Sequence, residues 1–405
     1  MESARLGGAD AVRATACLLV IVHHLLQRLD HGVLPAAARP LAAFFMFGSF
    51  GVAAFFVLSG YLLSRPFWRS LYAGDAMPSI RTYAIRRAAR IAPAFWLALT
   101  VSFILDVTLF AVPLDGLKLF RYVAAMFFLG GWHWSLVFPV DNNGPLWSIG
   151  LEVACYVFMP LCLAVLYWLK ARNAFAALLL FVGVTLLTIA AQVLILNYWP
   201  IDPANRGWDF GLLGGAKTWV PRFSPASFYA IFSIGILAGG LQLVWRPRLR
   251  WVSDAAVALG LALCASDMLS RMGEDTEGFA LFSIPFGFPV FPLGVGLMLA
   301  AFPSTVLLQR LADNPVTAFI ARISFGLYLW HFLVLSVMGV FWIPGARNGG
   351  IKDLGEWGLV ILGCLVFSTI VATASFYLLE QPIIRWARGL EKREAVGSRM
   401  AAKAN

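Results

Sequence analysis

Residues 145–169 read PLWSIGLEVACYVFMPLCLAVLYWL, an unbroken apolar run with one charge, Glu152. A helix that crosses a bilayer needs roughly 20 such residues. A membrane barrel strand would be about half as long and would alternate polar with apolar. This stretch therefore reads as a spanning helix. Runs of similar length recur at about 11–28, 41–63, 91–111, 174–196, 225–245, 252–270, 278–302, 316–342 and 357–380. The composition agrees: of 405 residues 60% are hydrophobic and 13% charged, and the mean hydropathy is +0.79. Soluble domains carry about 25% charge. An ordinary soluble protein, a disordered chain and a collagen-like fibre are excluded.

One further apolar stretch, 118–140, contains Lys118, Arg121, His133 and the Gly130-Gly131 pair. Charge decides whether it crosses. With ten spans and both termini in the cytoplasm, Lys and Arg fall on the inner side over the outer by roughly two to one, as expected of cytoplasmic loops. If 118–140 also crosses, the two sides come out about even. The expected fold is therefore an all-α integral membrane protein of about ten transmembrane helices, with 118–140 as a re-entrant or interfacial hairpin. Irregular backbone at that depth must be buried in protein or line a wet cavity.

The net charge of +10 fits inner-face anchoring and argues against a nucleic-acid partner. The five cysteines, Cys17, Cys155, Cys162, Cys264 and Cys364, lie in apolar runs without a CxxC pair. They read as small core residues, and no metal site is expected. Residues 14–22 followed by Ala36-Ala37-Ala38 look like a signal peptide, but Arg13, His23 and His24 interrupt the pattern. No internal repeat or matched pair of broken helices marks a transporter. Residues 1–385 form the expected membrane domain and 386–405 a basic cytoplasmic tail.

Ionisable groups inside apolar runs are costly and usually face a cavity or a partner. The first span holds Asp10, Arg13, His23 and His24; the fourth holds Glu152; the ninth holds Arg322 and His331; the tenth ends at Glu380. Arg13 and His24 lie three turns apart on one helical face, roughly 16 Å along the axis. Counting from the outer ends of their spans puts His24 and Glu152 at similar depth. A histidine facing a carboxylate is a general base with an orienting partner; a structural ion pair and a proton relay are the alternatives. His23 points about 100° away and reads as a packing residue. Arg87 and Arg90 share a face at i and i+3, suited to phosphate or to anionic lipid. Ser59 has no GxSxG context and reads as a packing or hydrogen-bonding group.

Together these segments resemble acyltransferase family 3, multispan membrane acyltransferases that often O-acetylate bacterial glycans. Arg13 and His24 are similar to the family's Arg-x10-His pair. Phe55 to Tyr61 read FFVLSGY; Arg87, Arg90, Ile91, Pro93 and Trp96 fit RxxRIxPxxW; Pro145 to Ser148 with Glu152 fit PLWSLxxE; Ser324 to His331 fit SYGIYLWH with Phe325 and Leu327 substituted. The opening LDGLRG is represented only by Asp10 and Arg13. The resemblance implies O-acyl transfer from cytoplasmic acetyl-CoA or another short acyl-CoA, with no permanently bound cofactor, at a bacterial inner membrane. The acceptor would be a hydroxyl of an envelope or exported glycan, or of a small glycosylated natural product. It implies a catalytic set of His24, Glu152 and Arg13 and a donor site of Arg87, Arg90 and Trp96. Asp10, Ser59, Tyr61, Trp147, Ser148, Tyr328 and His331 would serve substrate or structure. Many relatives carry a fused extracytoplasmic domain; without one, transfer would be direct or through a separate partner. A proton-coupled transporter, with His24, Glu152 and His331 as the relay, is the competing class.

Overall fold

The computed structural model describes residues 7–198, 223–247, 249, 251–274, 276, 278, 284–305 and 307–389. The expected tail 386–405 lies outside them from residue 390 onward. The main helices are α1 Ala9–Leu26, α2 Arg39–Met46, α3 Gly51–Ala73, α4 Ile80–Thr108, α5 Gly116–Met126, α6 Trp147–Trp168, α7 Ala174–Tyr198, α8 Pro225–Val244, α9 Trp251–Ser270, α10 Val290–Ala301, α11 Pro315–Phe341 and α12 Leu354–Ser375. Among the described residues there is no strand beyond one bridge, Leu29 to Ile351. Nine helical segments there are long and apolar enough to cross a membrane, and Val290–Ser304 is a shorter apolar helix. Among its described residues, the expected span 278–302 is helical from Val290, after a turn at 285–289; 279–283 lie outside the described residues. The chain is an all-α, multi-pass membrane protein.

Local chemistry sets the helix ends. The Ser79 side chain accepts from Thr82 N–H and starts α4 eleven residues before the apolar run begins. Asn314 closes a capping box ahead of Pro315 in α11, satisfying N–H groups that have no intrahelical partner. Gly74, at φ 77°, ends α3 in the left-handed conformation that glycine accepts without strain. Packing then depends on small residues, as in other membrane bundles. A Cβ on Gly235 of α8 would overlap the Val57 carbonyl of α3, and one on Gly60 would overlap the Phe232 carbonyl. Trp68 Nε1 locks the same pair by donating to the Ile236 carbonyl at 2.8 Å.

The region 118–140 does not cross. After α5 the chain makes tight turns, a short 3-10 turn at Trp134–Leu136 and another at Gly144–Leu146. Side chains take up its polar groups. Lys118 Nζ donates to Asp106 Oδ2 at 2.8 Å and to Asp141 Oδ2 at 2.5 Å. Burial opposes the Lys118 charge, but these carboxylates outweigh it and raise the ammonium pKa above its ordinary value. Asn142 donates to the Ser102 carbonyl at 2.8 Å, and Asn143 donates to the Leu329 carbonyl at 2.9 Å. Gly150 of α6 lies so close to Gly130 that a Cβ would stand 2.8 Å from its nitrogen. The hairpin is therefore seated inward, against α4, α6 and α11.

A segment that turns back without crossing has both ends on one side of the membrane. Cysteines at Leu114 and Asp141, in a background without native thiols, should both react with an impermeant maleimide from the outer side. Labelling of one without the other would overturn this arrangement.

Candidate active site

A cavity of about 100 Å³ lies between α1, α3, α4, α6 and α11. Its polar lining is Arg13, Ser59, Arg87, Arg90, Glu152, Tyr156, Ser148, Ser324 and Tyr328, with Phe55 and Phe56 among the apolar walls. Helix α3 supplies Ser59, α4 the two arginines, α6 the carboxylate and α11 Tyr328. The Glu152 Oε1 atom accepts from Ser59 Oγ at 2.9 Å. It also accepts a short hydrogen bond from Tyr156 OH, one turn further along α6. Ser148 Oγ and Tyr328 OH are 2.8 Å apart, and Tyr328 OH donates to the Pro145 carbonyl at 3.0 Å.

The three guanidinium groups differ. Arg90 pairs with Glu380 at 3.0 Å, and the Glu380 side chain is 1% exposed. Glu380 reaches it from a π turn, Phe376–Glu380, at the end of α12. Such turns shift side-chain register and cluster at functional sites. Arg87 makes no hydrogen bond or ion pair among the described residues, and its buried Nε has no partner. Arg13 likewise has no hydrogen bond there, though Glu152, Tyr156, Asp10 and Arg90 lie within electrostatic reach. Arg13 and Arg87 are half-buried and lie in the field of Glu152 without a direct ion pair, so they leave anion-binding capacity open inside the bundle.

The histidines are elsewhere. His24 Nδ1 lies 2.9 Å from His331 Nε2. His331 Nδ1 donates to the Leu327 carbonyl at 2.9 Å. Neither ring lines the cavity; a link is Tyr328, which does, and whose ring centroid is 6.1 Å from that of His331. His23 is pinned by its own bond to the Met46 carbonyl at 2.5 Å, which agrees with its reading as a packing residue.

The expected His24–Glu152 pair is not made, and the hairpin explains why. Helices α1 and α11 run in the same direction, since Cys17 meets Ser324 and His24 meets His331. Pro145, taken as the membrane-surface end of its span, bonds to Tyr328, three residues below His331 on α11. The segment entering α6 is therefore already deep, and Glu152 lies roughly 10 Å deeper still. That places Glu152 at the level of Arg13. Four further expected residues lie outside the cavity: Asp10, in the first turn of α1, and Trp96, Trp147 and Tyr61. Trp96 donates to the Met126 carbonyl at 2.9 Å and braces the hairpin. Trp147 packs on Phe223 and Phe228 at 5.0 and 5.3 Å. The Tyr61 ring lies under Arg65 at 5.4 Å. One cavity group, Tyr156, went unrecognised in the sequence, and Glu380 was noted there only as the ionisable end of the tenth span, not as the partner of Arg90. The i, i+4 spacing of Glu152 and Tyr156 was the available signal for Tyr156.

With this geometry in place, comparison with known proteins is decisive on family. Residues 6–376 match the family described as an acyltransferase domain. The chain belongs to acyltransferase family 3. It is 24% identical over 388 residues to the O-acetyltransferase OatA of Staphylococcus aureus, covering 93% of this chain and 57% of that protein. It is 25% identical over 400 residues to the Bacillus subtilis protein named "Putative peptidoglycan O-acetyltransferase YrhL", covering 93% of this chain and 54% of that one. The chain spans about half the length of the curated relatives it matches. No solved structure matches it.

The inequality of the two helix-α4 arginines has a measurable outcome. Arg90→Gln strands the buried Glu380 carboxylate and should destabilise the protein, by as much as about 3–5 kcal/mol. Arg87→Gln removes a charge that Glu152 balances only at a distance, without an ion pair, and should lower the melting temperature in detergent far less. Equal melting temperatures for the two variants would contradict the assigned pairing.

Proposed function

We propose that this chain is a membrane O-acyltransferase that moves an acetyl or other short acyl group from cytoplasmic acyl-CoA to a hydroxyl of an envelope or exported glycan. The observation that carries the reading lies on one face of α1. Arg13 lines the cavity together with Arg87, and His24 stands roughly 16 Å away along the same helix. That span is comparable to a pantetheine arm. Phosphates of the donor would rest on Arg13 and Arg87, with Arg90 and its Glu380 partner at the rim. The names of the relatives support a hydroxyl acceptor. The excess of Lys and Arg in the inner segments supports cytoplasmic termini at a bacterial inner membrane.

In the transfer step, His24 takes the proton from the acceptor hydroxyl. The oxygen bonds to the thioester carbonyl carbon, the C–S bond breaks, and the CoA thiolate recovers the proton. Glu152 does not orient His24 in this scheme. It faces Arg13 and Arg87, where it balances their charge and sets their spacing. Acylation of a small glycosylated molecule would use the same machinery. So would delivery through a separate extracytoplasmic partner.

Charge-assisted contacts are each worth roughly 1.5–3 kcal/mol. Arg87→Gln should therefore raise the donor KM by at least about tenfold with the protein still folded; an unchanged KM would return Arg87 to lipid anchoring. General base catalysis contributes roughly 10²–10⁴-fold. His24→Ala should lose at least about two orders of magnitude in turnover of radiolabelled acetyl-CoA onto peptidoglycan fragments while still binding donor. His23→Ala should lose far less, and the opposite ranking would remove His24 from the chemical step.

A further inference from the structure

We propose that His331 is the positioning residue for His24: it holds the His24 ring in the tautomer that leaves Nε2 unprotonated toward the acceptor hydroxyl. The inference rests on the reading of His24 as general base given above. A backbone carbonyl can only accept, so the 2.9 Å contact from His331 Nδ1 to the Leu327 oxygen places a proton on that nitrogen. In the neutral ring, His331 Nε2 is then an acceptor. The 2.9 Å contact to His24 Nδ1 follows with His24 as donor. A neutral His24 with its proton on Nδ1 has a lone pair on Nε2. The Leu327 carbonyl thus fixes the His331 tautomer, and His331, alongside the Val20 carbonyl one turn back on α1, fixes that of His24, because the bond made by one ring nitrogen sets the state of the other.

The surroundings suit this role. His331 is fully buried, whereas His24 is half-buried. The rings around the pair are His23 and Phe332, each 5.0 Å from His24, and Tyr328 beside His331. From α12, Cys364 Sγ lies 3.8 Å from the His331 carbonyl. Arg28, in the turn just past α1, is the nearby fixed cation and is itself held on the Arg347 carbonyl at 2.8 Å. Among the described residues no carboxylate bonds to either ring. A neutral imidazole therefore does the orienting that a carboxylate does in a hydrolase triad. In the transfer step the hydroxyl proton moves to His24 Nε2, the Nδ1–H bond to His331 is retained, and the proton returns to the departing thiolate.

The test reads the tautomer directly in the full-length protein in detergent. With 15N-labelled histidine, the His24 signal, assigned by its loss in His24→Ala, should show an unprotonated Nε2 and a protonated Nδ1. The reverse pattern in folded wild-type protein would overturn the inference without any variant. Substitutions give a second arm. In His331→Gln the amide oxygen falls near the position of Nε2 and still accepts from His24. In His331→Asn the amide is too short to reach. Carbethoxylation of His24 by diethyl pyrocarbonate, followed by mass spectrometry without donor or acceptor, should stay within about twofold of wild type for Gln. It should slow by at least about fivefold for Asn. Equal rates in the two variants would reduce His331 to a packing residue. These readouts concern the pair alone, whereas turnover of His24→Ala decides the base assignment, so either can fail without the other.

Discussion

Backbone that enters an apolar layer without completing a helix must hand every N–H and C=O to something else. In this protein that demand falls on the segment between α5 and α6, and the site is arranged around how it is met. Lys118, Asn142 and Asn143 tie the segment to α4 and α11, and Gly150 lets its backbone lie directly on α6. The start of α6 is drawn inward as a result. Glu152 reaches the arginine level instead of the histidine level, and Ser148 meets Tyr328. Loosening the hairpin would therefore displace the carboxylate before it disturbed any guanidinium.

Much of this was legible in the sequence. The apolar runs gave the helices to within a few residues in most cases, because burial in lipid and helix length are tied by simple geometry. Charge asymmetry separated the hairpin from the true spans. The motif residues Arg13, Ser59, Arg87, Arg90, Glu152, Ser148 and Tyr328 do converge on one cavity. What could not be read was depth. A residue count from Pro145 measures distance along a helix, and the hairpin moves the origin of that count. Likewise Arg87 and Arg90 look equivalent at i and i+3. Only the π turn that delivers Glu380 makes one of them paired and the other free. Non-local partners of this kind leave no periodic signal.

The bundle also divides its work between two kinds of contact. Close backbone approach at Gly60 and Gly235, backed by the Trp68 bond to the Ile236 carbonyl and the Arg65 bond to Gln242, fixes α3 to α8. The polar side chains that line the cavity come from α1, α3, α4, α6 and α11, with Glu380 reaching Arg90 from the end of α12. Helix α3 belongs to both sets, carrying Ser59 on one face and Gly60 on the next. Rigidity in the glycine contact is transmitted to the serine that holds Glu152.

A last consequence concerns traffic through the histidines. A wire that carries protons across a membrane needs an entrance, an exit and a carrier at each junction able to take a proton in and pass one on. Here the chain runs from His24 through His331 and stops at the Leu327 carbonyl, which can accept a hydrogen bond but has no proton to relay. The line is a cul-de-sac. Any proton admitted at the open nitrogen of His24 has to leave through the same opening, onto whatever molecule stands there. Such an arrangement is of little use to a pump and well suited to a reaction that borrows a proton and gives it back.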